Sequence, residues 1–423
     1  MAFRILSYVQ EKRLLQHRDF VLLWISGLLV VIGSSAFPIA LAVTVLDSGG
    51  SATTLGVILA SRVLSSVLLA LAGGVWADRF KRKYIMIVAD LLRAVLTVVL
   101  VIVAVTDLPA WTIALVVFLM GAGEALGFPA SGAILPSVLP DRLLPEGNAW
   151  RAITARAGAI LGPALGGAMV AVIGSEWTFL VTAAFFVVGT ALLFPVKEGE
   201  FERNLTEGTF LRELREGLTT VRRMPWVMWI VIMASIQLMV VVGAEVVLLP
   251  VVTREEFGTN FVFAAASVAA GLGGGISALV WSKIKVPKPG LWSVLSWMLF
   301  STSLLVLVFP IHPWVVIGVY FIVGLSTEPF GVYWPTAIQR EVPRELQARV
   351  FSVDHMGSLA LMPLGMALVG PITEWIGMRE YLLFATGFHI VTCLLVLFIP
   401  GVIELKTPTD SSQGEQVLRE EAK

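Results

Sequence analysis

Twelve apolar stretches, each close to the length that crosses a bilayer, follow one another through this chain with only short polar links between them. Nothing else in the sequence restricts its fold as strongly. A run of roughly 20 apolar residues has the length of a membrane helix. In lipid, every backbone polar group must be satisfied within the protein, and a helix does this by itself. The stretches fall at about 20–45, 55–76, 84–105, 111–135, 152–173, a sixth ending near 195, then 226–252, 261–281, 291–309, 314–334, 350–375 and 381–402. Composition agrees: 57% of the residues are hydrophobic and 14% are charged, against about 25% charged in a soluble domain.

The few charges are distributed unevenly. Of the 30 Lys and Arg, only Arg254 and Arg379 fall in links on one side, and Arg62 and Arg93 fall inside apolar stretches. The remainder collect on the other side or at its helix ends. Basic links stay cytoplasmic, so a multi-pass protein of the cell (inner) membrane is expected, with both termini inside. The expected organisation is an N-terminal segment 1–19, a six-helix bundle 20–195, a linker 196–224, a second six-helix bundle 225–402 and a tail 403–423. In the linker, Phe210, Leu211, Leu214, Leu218 and Val221 recur at helical spacing with charges opposite, which predicts an amphipathic helix on the membrane face. The N-terminal segment mixes bases with apolar residues and reads as an interfacial helix or a basic tail, and the charged C-terminal tail as disordered. The first apolar stretch is too long for a cleaved signal. The sequon at Asn204 falls in the cytoplasmic linker, and the single Cys393 gives no disulfide framework.

The two halves repeat. With an offset of 203, Gly121 falls on Gly324, Pro140 on Pro343, Gly162 on Gly365, Gly167 on Gly370 and Gly174 on Gly377. Duplicated halves with a site near the midplane are the plan of many secondary transporters. Two local motifs add to this. Between the second and third stretches lies Gly74-Val75-Trp76-Ala77-Asp78-Arg79-Phe80-Lys81-Arg82-Lys83, an acid followed by four bases in five residues. The fifth stretch carries Gly158-Ala159-Ile160-Leu161-Gly162-Pro163-Ala164-Leu165-Gly166-Gly167. Small residues four apart let helices approach closely, and proline removes a backbone donor and permits a bend. Helix packing alone accounts for that pattern as readily as a transport role does.

The loop resembles the signature between helices 2 and 3 of major facilitator superfamily transporters, matching at Gly74, Asp78, Arg79, Arg82 and Lys83, with Lys81 in place of the second glycine. The fifth stretch resembles the antiporter motif of the superfamily's exporters in its C-terminal part, through Gly158, Gly162, Pro163, Gly166 and Gly167; Ala149 stands where the motif's leading glycine would fall. Arg62, Asp90, Arg93, Phe128-Pro129-Ala130 and Leu135-Pro136 resemble the drug:proton antiporter branch that contains macrolide and enterobactin exporters. The resemblance implies an all-α membrane protein of two pseudo-symmetric six-helix bundles, with helices 1, 4, 7 and 10 lining a central cavity. It implies a cytoplasmic gate in which Asp78 meets the start of helix 11 near Asp354, helped by Arg79 and Arg82. The helix 4 arginine of many such exporters is absent, since that region reads Phe118 to Glu124 without one.

An ionisable group at mid-bilayer costs about 2.5–3.5 kcal/mol on insertion scales, so each one within a stretch needs a reason. Glu124, Glu245 and Glu328 fall in the fourth, seventh and tenth stretches, and Arg62, Asp90 and Arg93 in the second and third. The three acids could face the cavity that the resemblance implies. In an apolar cavity desolvation disfavours the charged form of a carboxylate, which suits proton uptake near neutral pH. An acid that holds either a proton or a substrate group gives exchange; an acid paired with a fixed base is structural. Both readings stand for Glu124, Glu245 and Glu328. Arg62, Asp90 and Arg93 read as one cluster, a charge network or a proton relay. No nucleotide-binding loop and no metal-ligand cluster appears, so no cofactor is expected and the chain is not expected to be an enzyme. The expectation is export of lipophilic or amphipathic small molecules in exchange for protons by alternating access. The expected partners are the small-molecule substrate, protons and the lipid bilayer, with no nucleic acid, and the chain would act as a monomer. A narrow exporter of a metabolite such as a siderophore, a nutrient importer, and a membrane enzyme or receptor are the rivals.

Overall fold

A computed structural model describes residues 14–104, 106, 109–199, 218–281, 283–284, 286–342 and 344–403, but not the side chains of 70–79, 344–345 and 348–349. The described secondary structure is helical throughout. α1 spans Arg18–Asp47, α2 Ala52–Arg79, α3 Arg82–Ala104 and α4 Ala110–Ala133. A short helical turn, Leu135–Val138, and a tight turn, Asp141–Leu143, replace the expected polar link and lead into Leu144–Leu193. That long stretch breaks at Gly174, where φ 84 and ψ 167 are not helical; its parts are α5 (144–173) and α6 (175–193). α7 runs Pro225–Phe257 through a π-helical turn at Leu238–Val242, followed by α8 Phe261–Trp281 and α9 Pro289–Val308. α10 is Pro313–Glu341, α11 is Arg344–Leu359 continued by Met362–Ile376, and α12 is Met378–Val396.

Among the described residues, eleven stretches are long and apolar enough to cross a membrane, and the one that contains the break at Gly174 provides two crossings. Packing on α1 shows the reversal. Along α5, Gly158, Gly162 and Gly166 face Val31, Ser35 and Ala36 of α1 in the same order. Along α6 the order is opposite, with Gly33 facing Thr182 and Phe185, and Gly189 facing Val30 and Ser26. The reversal needs a residue without a Cβ, because a positive φ is disfavoured for any other. The repeat-related Gly377 makes the α11–α12 turn in the same conformation, with φ 99 and ψ 144.

α3 shows which solvent surrounds these helices. Tyr84, Val88, Leu91, Val95, Val98 and Ile102, spaced three or four apart, are all exposed. Its buried face carries Asp90, Arg93 and Thr97. In water this arrangement would be inside out; in lipid it places apolar surface against hydrocarbon and polar groups within the bundle. Exposed tryptophans mark an interface: Trp111, Trp177, Trp314 and Trp375 lie at the ends of α4, α6, α10 and α11 that are remote from the basic loops. The chain is a multi-pass membrane protein.

The described residues form two compact units. Unit 1 contains the first six helices together with Val246–Val268 and Pro363–Pro371. Gly167 of α5 faces Ala264 of α8, and Gly370 of α11 faces Thr53 of α2. These glycines stand at repeat-related positions, so the same small-residue contact occurs twice within unit 1. Unit 2 contains Gly208–Glu245, Ala269–Met362 and Ile372–Lys423. Gly121 brings α4 against the Arg62 backbone of α2, and its repeat mate Gly324 brings α10 against Ala270 of α8, one contact in each unit. Most of the expected interfacial N-terminal segment, most of the amphipathic linker helix, the sequon and the C-terminal tail lie outside the described residues; residues 218–223 at the end of the linker are helical.

Candidate functional site in unit 1

The site begins with the glycines around Glu124. Gly121 lets α4 touch α2 at Arg62, and at Gly123 a Cβ would stand 3.0 Å from Cγ of Arg93 and 3.2 Å from the Ala89 carbonyl of α3. Gly-x-Gly-Glu thus seats one carboxylate where three helices meet. The Arg62 guanidinium donates to both oxygens of Glu124, Nε to Oε2 at 3.1 Å and Nη2 to Oε1 at 3.2 Å. This two-pronged geometry is the strong form of a charge-assisted hydrogen bond. Glu124 also interacts through space with the charge of Arg93. Arg93 pairs with Asp90 one turn earlier, Nη1 to Oδ1 at 3.4 Å, and donates through Nη2 to the hydroxyl of Ser34 on α1. Its guanidinium lies over the Phe186 ring of α6 at 4.3 Å, and that of Arg62 lies near the Phe37 ring at 5.6 Å. Aromatic faces attract cations, most when water is excluded.

The sequence grouped Arg62 with Asp90 and Arg93 and left Glu124 as a separate acid. In the structure Glu124 is the partner of Arg62, and the four residues form two pairs whose charges cancel. A cavity of about 330 Å³ in unit 1 is lined by Glu124, Asp90 and Arg93, together with Trp24, Ser34 and Arg151. Trp24 donates to Thr154 at 2.8 Å, and Arg151 donates to the Gly132 carbonyl at 3.1 Å. Ser34, Arg151, Thr154 and Phe186 escaped the sequence reading. Arg151 offered a signal, a base immediately before the fifth apolar stretch; the Ser34-Ser35 pair within an apolar run offered none.

The remaining candidates lie elsewhere. Glu245 sits against the Tyr320 hydroxyl in unit 2, and half-buried Glu328 lies beside Gly274 and Gly331. Asp354 accepts a hydrogen bond from the Trp334 indole at 3.0 Å. The Asp78 and Arg79 side chains lie outside the description. The backbone amides of Arg82 and Lys83, at the start of α3, both donate to the Glu198 carboxylate at 3.1 Å, as an anion at a helix N-terminus should accept. Lys83 Nζ closes the end of α6 by donating to the carbonyls of Phe194 and Val196 at 2.6 and 2.8 Å. Glu198 was missed because it follows the sixth stretch in what reads as an ordinary polar linker. The glycine stripe from Gly158 to Gly166 packs α5 on α1, with Pro163 beside it. Among the described residues no cluster of His, Cys, Asp and Glu is arranged to hold a metal ion.

Over 403 residues the chain is 24% identical to macrolide efflux protein A of Streptococcus pyogenes, covering 92% of this chain and 96% of that protein. It is 25% identical over 376 residues to the multidrug efflux pump Tap of Mycolicibacterium fortuitum, covering 85% and 90%. Among solved structures, the nucleoside transporter NupG matches with a TM-score of 0.67 at 11% identity, covering 90% of this chain and 98% of that one. A POT family transporter in complex with 5-aminolevulinic acid matches with a TM-score of 0.68 at 16% identity, covering 91% and 96%. The sequence model of the Major Facilitator Superfamily matches residues 23–358. Twelve crossings with a repeated glycine framework and a match over most of its length establish that the chain belongs to the Major Facilitator Superfamily.

Proposed function

We propose that the chain exports lipophilic or amphipathic small molecules from the cell in exchange for protons, by alternating access, as a monomer in the cell membrane with both termini cytoplasmic. The observation that carries this reading is the pair of acids, Glu124 and Asp90, lining one cavity and each held by a guanidinium. Two acids and two bases leave the cluster neutral. A proton taken up by either carboxylate frees a guanidinium and makes the cluster positive. That charge acts strongly in a partly dry cavity, so proton uptake opposes a cationic or hydrogen-bonding substrate group at the same oxygens. Mutual exclusion of this kind is what exchange requires. The names of the macrolide and multidrug efflux relatives support export over import.

Proton flux in inside-out vesicles tests the reading. With an acidic interior, addition of a transported compound is expected to release protons, and Glu124→Gln is expected to abolish the release. Transport that continues unchanged after the proton gradient is collapsed would overturn proton exchange. Release that survives Glu124→Gln would keep exchange but move the proton to Asp90 or Glu328.

A further inference from the structure

Unit 2 holds a second cavity, of about 310 Å³, that the ion pairs of unit 1 do not touch. Its wall is a run of aromatic rings. Phe330 stacks on Trp334 with centroids 5.7 Å apart and planes 15° apart, and Trp297 continues the wall 6.3 Å from Phe330. The wall is braced from behind. Trp297 stacks on Phe300 at 5.0 Å and donates through its indole to the Gln237 side-chain carbonyl at 2.7 Å, while the Gln237 amide donates to Thr392 at 2.6 Å. The Gln237 amide group is therefore committed to holding the wall.

The charge balance here differs from that of unit 1. Asp354 lines the cavity; the Trp334 indole and the Ser358 hydroxyl donate to it, and the neighbouring His355 acts on it through space. Among the described residues no Lys or Arg lines the cavity, and His355, exposed on the same helix, is the one basic side chain in its lining. A carboxylate in an aromatic pocket whose basic neighbour is an exposed imidazole rather than a buried guanidinium is better compensated when a cation arrives from outside. Aromatic faces beside it would hold such a cation on its other side.

We infer that this cavity is a binding site for lipophilic aromatic cations, with Asp354 as the counter-charge and Trp297, Phe330 and Trp334 as the stacking wall. A flat pyridinium or an aryl quaternary ammonium has the matching chemistry, and the volume is at the lower end of the range for a drug-sized ligand. The inference deepens the proposed export by naming a charge class, and rests on that reading only for the fate of the bound compound.

The test is equilibrium binding, which needs no proton gradient and so can fail or succeed independently of the vesicle experiment. Full-length protein in detergent would be titrated calorimetrically with N-methyl-phenylpyridinium and with its neutral parent phenylpyridine. Wild type is expected to bind the cation more tightly than the parent. Asp354→Asn keeps an acceptor for the Trp334 indole, and is expected to weaken cation binding by roughly tenfold while leaving the parent unchanged. Asp354→Glu, which keeps the charge, is expected to retain cation preference, and Phe330→Leu to weaken both probes. Equal binding of the two probes to wild type, no binding of the cation, or an Asp354→Asn variant that binds the cation as wild type does would each overturn the site.

Discussion

Glu124 is gripped by a guanidinium from α2 and lies within the field of another from α3, so substitutions here change charge balance before they change shape. Glu124→Gln leaves Arg62 without its acid inside the bundle. Removing one partner of a fully buried pair costs about 3–5 kcal/mol. The Arg62 and Glu124 side chains are 18% and 37% exposed, so screening brings the cost below that range. The double change Arg62→Gln with Glu124→Gln removes both charges, and is expected to recover much of the thermal stability lost by Glu124→Gln alone in detergent. Melting curves of the wild type, both single variants and the double variant would check this. A double variant no more stable than Glu124→Gln would mean that the pair is not the main interaction of either residue. The proton-release test of Glu124→Gln and the cation titration of Asp354→Asn belong to the same scale, because each reads one carboxylate.

At the scale of elements, the chain uses absent side chains to bring helices together. Gly162 faces Ser35 and Gly166 stands with its Cβ position 2.8 Å from the Ala36 carbonyl, so α5 and α1 pack at backbone distance. Gly162→Val is expected to force the two helices apart and to lower the melting temperature by several degrees or prevent folding, since overpacking of this kind typically costs about 1–3 kcal/mol or more. Gly318 in α10 has open space where a Cβ would be placed. Gly318→Ala is expected to be neutral or stabilising by up to about 1 kcal/mol, because alanine is the better helix former. Equal damage from both substitutions in a fluorescence size-exclusion assay would argue against close packing as the role of the α5 stripe. The same contrast separates the two motifs. The α5 glycines have a visible packing task, whereas the α2–α3 loop anchors Glu198 through the amides of Arg82 and Lys83.

For the whole molecule, unit 1 gathers segments from both sequence halves at the end remote from the basic loops. The repeat-related Gly167 and Gly370 make matching contacts there, and Arg254 pairs with Asp47. Under the proposed orientation this end faces outward, and these contacts within unit 1 hold it together. That ion pair is partly exposed and by itself is worth about 1 kcal/mol or less, so the glycine contacts carry more of the hold. Gly370→Val places methyl groups on the Thr53 backbone and is expected to loosen the outer end. In a Cys393→Ser background, a cysteine introduced at buried Val45 is expected to react faster with a membrane-impermeant maleimide when Gly370→Val is present. Unchanged labelling would show that this contact does not hold the outer end together.

What the sequence determined by itself is whatever depends on one helix at a time. Length and apolarity give the crossings, and glycines at an offset of 203 give the repeat that reappears as two positive-φ turns at Gly174 and Gly377. These follow from local physics: a span must satisfy its own backbone, and a reversal without Cβ needs glycine. The tertiary structure alone decided the partners. Arg62 and Glu124 are 62 positions apart, and their pairing depends on which faces of α2, α3 and α4 meet, which no periodicity within one helix encodes. Asp354 reads from the sequence as a charge at a helix start, yet a tryptophan twenty positions away on α10 draws it to an aromatic cavity. Glu198 reads as linker and becomes the acid that two amides hold. In a bilayer, spans are specified by transfer from water, but the neighbours of a buried charge are specified by packing, and packing is a property of the assembled helices.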